Sequence, residues 1–204
     1  MNNAPWLAAS TFALIGAITP GPVNFLAIRH GESRRTLTAF WYVLGASLSY
    51  TLVVWLSGTG SHWALQDGAL ITQAVRWLGA AYLLYLAWKI ATAPPTHLGN
   101  ADEQPVGQLW RSFSQGFLTQ VLNPKAWLVA LSGVGLYVLS PHPASGMSLG
   151  AFSLLSLTAC FLGVGAWAWL GGLLTRWLHT PRRQRALNLC LAALLALSVL
   201  GILL

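Results

Sequence analysis

Two short segments place prolines and polar side chains inside long apolar stretches: Thr19-Pro20-Gly21-Pro22-Val23-Asn24 and Leu122-Asn123-Pro124-Lys125. Proline has no backbone N–H and its ring clashes with the carbonyl one turn earlier, so neither segment can continue as regular helix. Gly21, between Pro20 and Pro22, admits backbone conformations closed to other residues. Carbonyls near Gly16 to Ile18 should therefore lose their helical partners. In lipid an unsatisfied carbonyl is costly and must face protein, water or a ligand. Such carbonyls accept hydrogen bonds from an ammonium group. The helix that restarts after Pro22 offers N–H donors and a positive dipole end, which suit a carboxylate. Thr19 and Asn24 add a hydroxyl and an amide at the same level. An α-amino acid carries both charges on one carbon, so this is fitting chemistry for binding one. The alternative is a helix that simply ends at Pro20 near the inner interface.

The second segment supplies a cation. Pro124 at a helix restart makes Asn123 the N-cap and puts Lys125 in the first turn. A buried lysine at membrane depth is expensive and usually functional. Lys125 can pair with a substrate carboxylate or with a freed carbonyl of the first break, and burial would also let it exchange a proton. The alternative is a side chain that snorkels to the interface. The candidate binding residues are thus Thr19, Pro20, Gly21, Pro22, Asn24, Asn123, Pro124 and Lys125.

Other chemistry is sparse. No Asp or Glu falls inside an apolar stretch; Glu32 follows the first and Asp67 precedes the third. Nucleophile–base pairs and carboxylate dyads at depth are therefore missing, and an enzyme is not expected. His30, His62, His97, His142 and His179 lie in loops or at stretch ends with no ligand spacing, so neither a metal nor a cofactor is expected. Cys160 and Cys190 sit in apolar segments and read as small core residues. Arg76 reads as a snorkelling side chain, with a gate or substrate contact as the alternative.

The elements that must position these residues follow from composition. The chain is 55% hydrophobic and 7% charged, whereas a soluble domain carries roughly 25% charged residues. Lipid must be its main solvent. The net charge of +7 forms no stripe of the kind that tracks nucleic acid. A spanning helix needs ~20 apolar residues, and six stretches qualify: about 6–28, 38–57, 69–90, 117–139, 149–174 and 186–204. The first lacks a basic leader and is expected to be a permanent helix rather than a signal. Arg29, Arg34 and Arg35 fall in the first connection, Lys89 and Arg111 in the third, and Arg176, Arg182, Arg183 and Arg185 in the fifth. Basic connections stay cytoplasmic, so both termini are expected outside. Most of the eleven tryptophans cluster near stretch ends, as an aromatic belt does. Small residues such as Gly45 and Ser49 recur at helix-packing spacing.

Pro22 and Pro124 lie 102 positions apart, half of the 204-residue chain. Three stretches per half is an odd number, so a repeated half must be upside down. The expected architecture is an all-α integral membrane protein of six transmembrane helices, a 3+3 inverted repeat with broken first and fourth helices. Residues 1–91 form the first half, 92–112 a cytoplasmic linker and 113–204 the second half. Against strict symmetry, both breaks fall toward the cytoplasmic side of their stretches.

At these residues the chain resembles the LysE/RhtB family of amino-acid exporters. That family's first helix carries a Thr-Pro-Gly-Pro-Asn type motif, here Thr19 to Asn24 with Val23 as the departure. Its third helix is similar to Gly79 through Lys89, and its Asn-Pro-Lys-Ala signature is intact at Asn123 to Ala126. Where many relatives have a Phe-Leu-Pro-Gln type stretch, this chain has Leu131-Ser132-Gly133-Val134-Gly135. The branch that exports cysteine and O-acetylserine looks similar around Ala81 to Pro94. The resemblance implies a secondary transporter in a bacterial inner membrane, exporting small neutral amino acids or derivatives such as homoserine, threonine, cysteine or O-acetylserine, driven by proton motive force. Lysine is disfavoured, because no paired carboxylates are available for its side chain. An exporter of another small solute or cation, or a non-transport scaffold, is the alternative. The expected partners are a small amino acid and the lipid bilayer, with further copies of the same chain left open and no nucleic acid.

Overall fold

Prolines mark where helices begin. The computed structural model describes residues 4–32, 36–60, 68–93, 106–139, 147–174 and 180–203. Among these are eight helices and no strand: α1 (Ala4–Ile18), α2 (Pro22–Glu32), α3 (Thr36–Thr59), α4 (Gly68–Ala91), α5 (Val106–Val121), α6 (Pro124–Tyr137), α7 (Leu149–Leu174) and α8 (Pro181–Leu203). Three of them start at a proline, whose fixed φ suits the first helical position and whose missing N–H has no helical partner there anyway. Arg34, Arg35, Arg176, Asp67, His62, His97, His142 and His179 lie outside the described residues, as does the side chain of Arg76.

α3, at 24 residues, and α7, at 26, are each long and apolar enough to cross a membrane; α1 and α2 pass the same test together but are bent by 64° at the break. The stretches expected at 38–57, 69–90, 149–174 and 186–204 coincide with α3, α4, α7 and α8 to within a few residues. The fourth stretch differs. It was expected at 117–139, but α5 begins at Val106 and runs 16 residues before the break, with α6 following it. The end of the 92–112 stretch is thus helical. The reason is chemical: Gln108, Arg111, Ser112, Ser114 and Gln115 depress the hydropathy of residues 106–116, yet Ser112 is buried. The longer α5 moves the second break about 24 Å from that helix's start, at 1.5 Å per residue. The 15-residue α1 leads into the first break over a similar length. Counted in residues, both breaks fall near the middle of their helix pairs.

Each broken helix pair packs on a long helix distant in sequence. α5 and α6 lie along α3, α1 and α2 lie along α7, α3 and α7 touch each other, and α4 pairs with α8. Missing side chains allow the closest crossings. A Cβ at Gly45 would overlap the Phe113 carbonyl, and one at Gly116 the Tyr42 carbonyl. One turn along, Ser49 Oγ donates to the Phe117 carbonyl at 2.8 Å. The spacing of Gly45 and Ser49 thus marks the α3–α5 contact. On the other side, a Cβ at Gly171 would overlap the Ile28 carbonyl. Van der Waals contact and interhelical hydrogen bonds of this kind join helices in lipid, where the hydrophobic effect offers no help.

Candidate functional site

The two proline breaks meet. Lys125 Nζ donates to the Thr19 carbonyl at 2.7 Å and approaches the Pro20 carbonyl at 3.5 Å. Its stem passes Gly21, where a Cβ would lie 3.5 Å from Lys125 Cδ. The second break aims this side chain. Asn123 has extended backbone (φ −88°, ψ 107°), Pro124 opens α6, and Asn123 Oδ1 accepts the Lys125 backbone N–H at 3.2 Å. This cap holds Lys125 in the first turn of α6, where the sequence placed it.

The first break frees carbonyls and the fold assigns donors to them. Asn24 Nδ2 donates to the Ala17 carbonyl at 3.0 Å and to the Thr19 carbonyl at 2.8 Å. Trp167 Nε1, from α7, donates to the Ile18 carbonyl at 2.9 Å. The Thr19 N–H still closes a helical turn onto the Ile15 carbonyl, and the next helical bond is Phe25 N–H to the Gly21 carbonyl. The expected set, Gly16 to Ile18, thus extends through Thr19 and Pro20, since Pro20 offers the Gly16 carbonyl no N–H. A second indole does the same at the other break, where Trp127 Nε1 donates to the Val121 carbonyl at 2.7 Å. Tyr42, fully buried on α3, donates to the Val23 carbonyl at 2.9 Å and ties α2 to the core.

A cavity of about 30 Å³ lies beside Lys125, room for roughly two waters. Gly21, Asn24, Asn123 and Lys125 line it, together with Tyr50, Gln120 and Cys160 from α3, α5 and α7. Asn123 Nδ2 reaches Gln120 Oε1 at 3.4 Å, and Gln120 Nε2 reaches Cys160 Sγ at 3.7 Å. Thr19 and Pro20 contribute carbonyls rather than side chains: the Thr19 hydroxyl turns back to the Ile15 carbonyl. Pro22 and Pro124 are the first residues of α2 and α6. Trp127, Trp167, Tyr50 and Gln120 are not among the candidate binding residues read from sequence, and Cys160, read there as a small core residue, is buried and also lines the cavity. The one sequence signal was Gln120, a polar residue one turn before Asn123 in an apolar context.

Among the described residues no cluster of His, Cys, Asp or Glu suits a metal ion. The ion pair of Arg29 with Glu32 (2.9 Å) closes the far end of α2, where Glu32 is buried.

Helices broken at proline, their breaks meeting beside a small cavity of mixed polar and apolar lining, and a lysine held on main-chain carbonyls midway along them define a membrane transporter for a small solute. Residues 14–204 match the LysE type translocator family, and the chain belongs to it. It is a transporter and not an enzyme. It is 37% identical over 186 residues to the cysteine/O-acetylserine efflux protein of Salmonella typhimurium (strain LT2), covering 91% of this chain and 90% of that protein. It is 34% identical to the protein of the same description from Escherichia coli (strain K12), over the same shares of each. No solved structure matches the chain.

Proposed function

We propose that this protein is a six-span exporter of small neutral amino acids, with cysteine, O-acetylserine and similarly sized polar derivatives as its substrate class. The observation that carries the reading is the contact between Lys125 Nζ and the Thr19 carbonyl, beside the cavity, in a chain of the LysE family. In the resting arrangement the lysine ammonium occupies acceptors that suit a substrate ammonium. An incoming amino acid places its own ammonium on the Thr19 and Pro20 carbonyls and its carboxylate against the displaced Lys125. The cavity is too small for an amino acid as it stands, and swinging the flexible Lys125 stem away from Gly21 enlarges it. Tyr50, Gln120 and Cys160 then face the substrate side chain, which favours a short, polar one. No Asp or Glu is among the described lining residues, so a second ammonium finds no counter-charge there.

The crossed packing of broken helices on opposite long helices, and the mid-length position of both breaks, support a 3+3 inverted repeat. Arg29, Lys89, Arg111, Arg182, Arg183 and Arg185 then gather at one end of the bundle, which supports a cytoplasmic assignment of that end and outward termini in a bacterial inner membrane. Proton motive force is the proposed drive, with Lys125, on the carbonyls of the first break, as the proposed proton-exchanging group.

The experiment is expression in bacteria fed a panel of dipeptides, with extracellular amino acids measured. Accumulation of cysteine-sized neutral amino acids is the expected result. No rise for any amino acid would refute the reading. Fusions to alkaline phosphatase at either terminus should be active if both termini face outward.

A further inference from the structure

Three of the helices around the cavity lead away from it in one direction, toward the end of the bundle remote from Arg29 and Glu32. α1 carries Gly16 at the cavity and Phe12 one turn beyond. α6 carries Val129 at the cavity, then Gly133 and Tyr137. α7 carries Val164 and Cys160 at the cavity, then Ser156 and Phe152, each four residues from the last. That spacing keeps the four α7 residues on one slowly winding face.

The three lines end in one aromatic cluster. Phe12 and Tyr137 have ring centroids 5.7 Å apart, and Tyr137 stacks on Phe152 at 5.9 Å. Phe152 is buried against Gly133, where an added Cβ would lie within 2.9 Å of Phe12 Cε1. At this end α1, α6 and α7 meet through the cluster.

Between cavity and cluster lie hydroxyls with no partner. Ser156 has no exposed surface, Ser153 is buried too, and neither Oγ makes a hydrogen bond. This is unlike the other hydroxyls of the long helices. Ser47, Thr51 and Ser57 on α3 and Thr158 on α7 itself all donate to the carbonyl one turn earlier. That self-contained bond is open to any helical serine. A buried hydroxyl that forgoes it carries a desolvation cost in the resting state, and a transient polar partner is one reason for a fold to keep it.

We infer that the solute leaves the cavity along the α7 face carrying Cys160 and Ser156, with Ser153 at its margin, and that Phe12, Tyr137 and Phe152 form the door at the far end of this route. The inference rests on the proposed assignment of the cavity as the solute site and of the aromatic end as outward. Ser156 is then a contact the solute makes in passage and not at rest, and Phe152 the leaf nearest to it.

The test is thiol accessibility in whole cells. Ser156→Cys is placed in a Cys190→Ser chain, and the same chain without Ser156→Cys supplies the background from buried Cys160. A membrane-impermeant thiol reagent is added outside. Labelling of Ser156→Cys should be slow and should rise at least tenfold when Phe152→Ala is added; Phe152→Leu serves if the alanine variant fails to reach the membrane. An unchanged rate would overturn the door. Separately, Ser156→Leu should lower the maximal efflux rate about tenfold while leaving solute binding by the detergent-purified protein within twofold; equal loss of both would overturn the route. These outcomes are separable from the site assignment, because Lys125→Ala should abolish solute binding whatever happens at Phe152.

Discussion

Lys125 Nζ sits 2.7 Å from the carbonyl oxygen of Thr19, a residue 106 positions earlier in the chain. One bond thus ties the start of α6 to the end of α1. It joins the two breaks directly, with Asn24 sharing the same acceptor.

Removing that ammonium should stop transport without unfolding the protein. Lys125→Ala leaves the Thr19 carbonyl bonded to Asn24, so the break keeps a donor. Efflux is expected to fall at least tenfold at unchanged membrane abundance, and Lys125→Arg should not restore it, since the broader guanidinium does not fit beside Gly21. Wild-type efflux in Lys125→Ala would remove this residue from the mechanism.

Asn24 is expected to matter for stability as well as transport. Its amide nitrogen holds the Ala17 and Thr19 carbonyls, and a hydrogen bond contributes about 0.5–1.5 kcal/mol net. Asn24→Ala should lower the melting temperature of the detergent-purified protein. Asn24→Asp should lower it further, because a carboxylate has no donor for two carbonyls. An aspartate variant as stable as wild type would contradict the assigned role.

Capping at the second break gives a graded series. Asn123→Ala removes the acceptor of the Lys125 N–H and should cost about 1 kcal/mol. Asn123→Ser should recover most of the lost stability because serine caps as well, but not efflux, because it loses the amide that reaches Gln120. Denaturation midpoints and efflux assays on the same preparations separate the two effects.

Glycine substitutions should divide sharply by position. Gly116→Ala drives a Cβ into the Tyr42 carbonyl, whereas a Cβ at Gly135 meets nothing within 4 Å. Gly116→Ala is expected to reduce folded protein severely. Gly135→Ala should be neutral or stabilise by up to about 1 kcal/mol, the helix-propensity difference. Fluorescence-detected gel filtration of the two variants decides this.

Proline and charge carried most of what was legible in the sequence. Pro22 and Pro124 impose breaks whatever surrounds them, and a lone lysine in an apolar stretch stands out, so both breaks and Lys125 were found by position. The first part of α5 was missed because Gln108, Arg111, Ser112, Ser114 and Gln115 look like connection residues until α3 is there to pack against them. The carbonyl donors Trp127 and Trp167 were hidden for a related reason: an indole at a break and an indole in an interfacial belt are indistinguishable until its N–H can be seen to point at something. Tyr50 and Cys160 reach the cavity from helices far away in sequence, and no local pattern marks such a meeting.

The crossed packing also governs how the chain can be made. When synthesis has delivered only α1 to α4, Gly45 presents a bare notch cut for the backbone of α5, which has not yet emerged, and the groove between α1 and α2 lacks α7 to fill it. The early half is an unfinished mould. Its final shape waits for the later half to arrive, so assembly in the bilayer is a late, joint event, and a chain cut between α4 and α5 should assemble only when both pieces are supplied together.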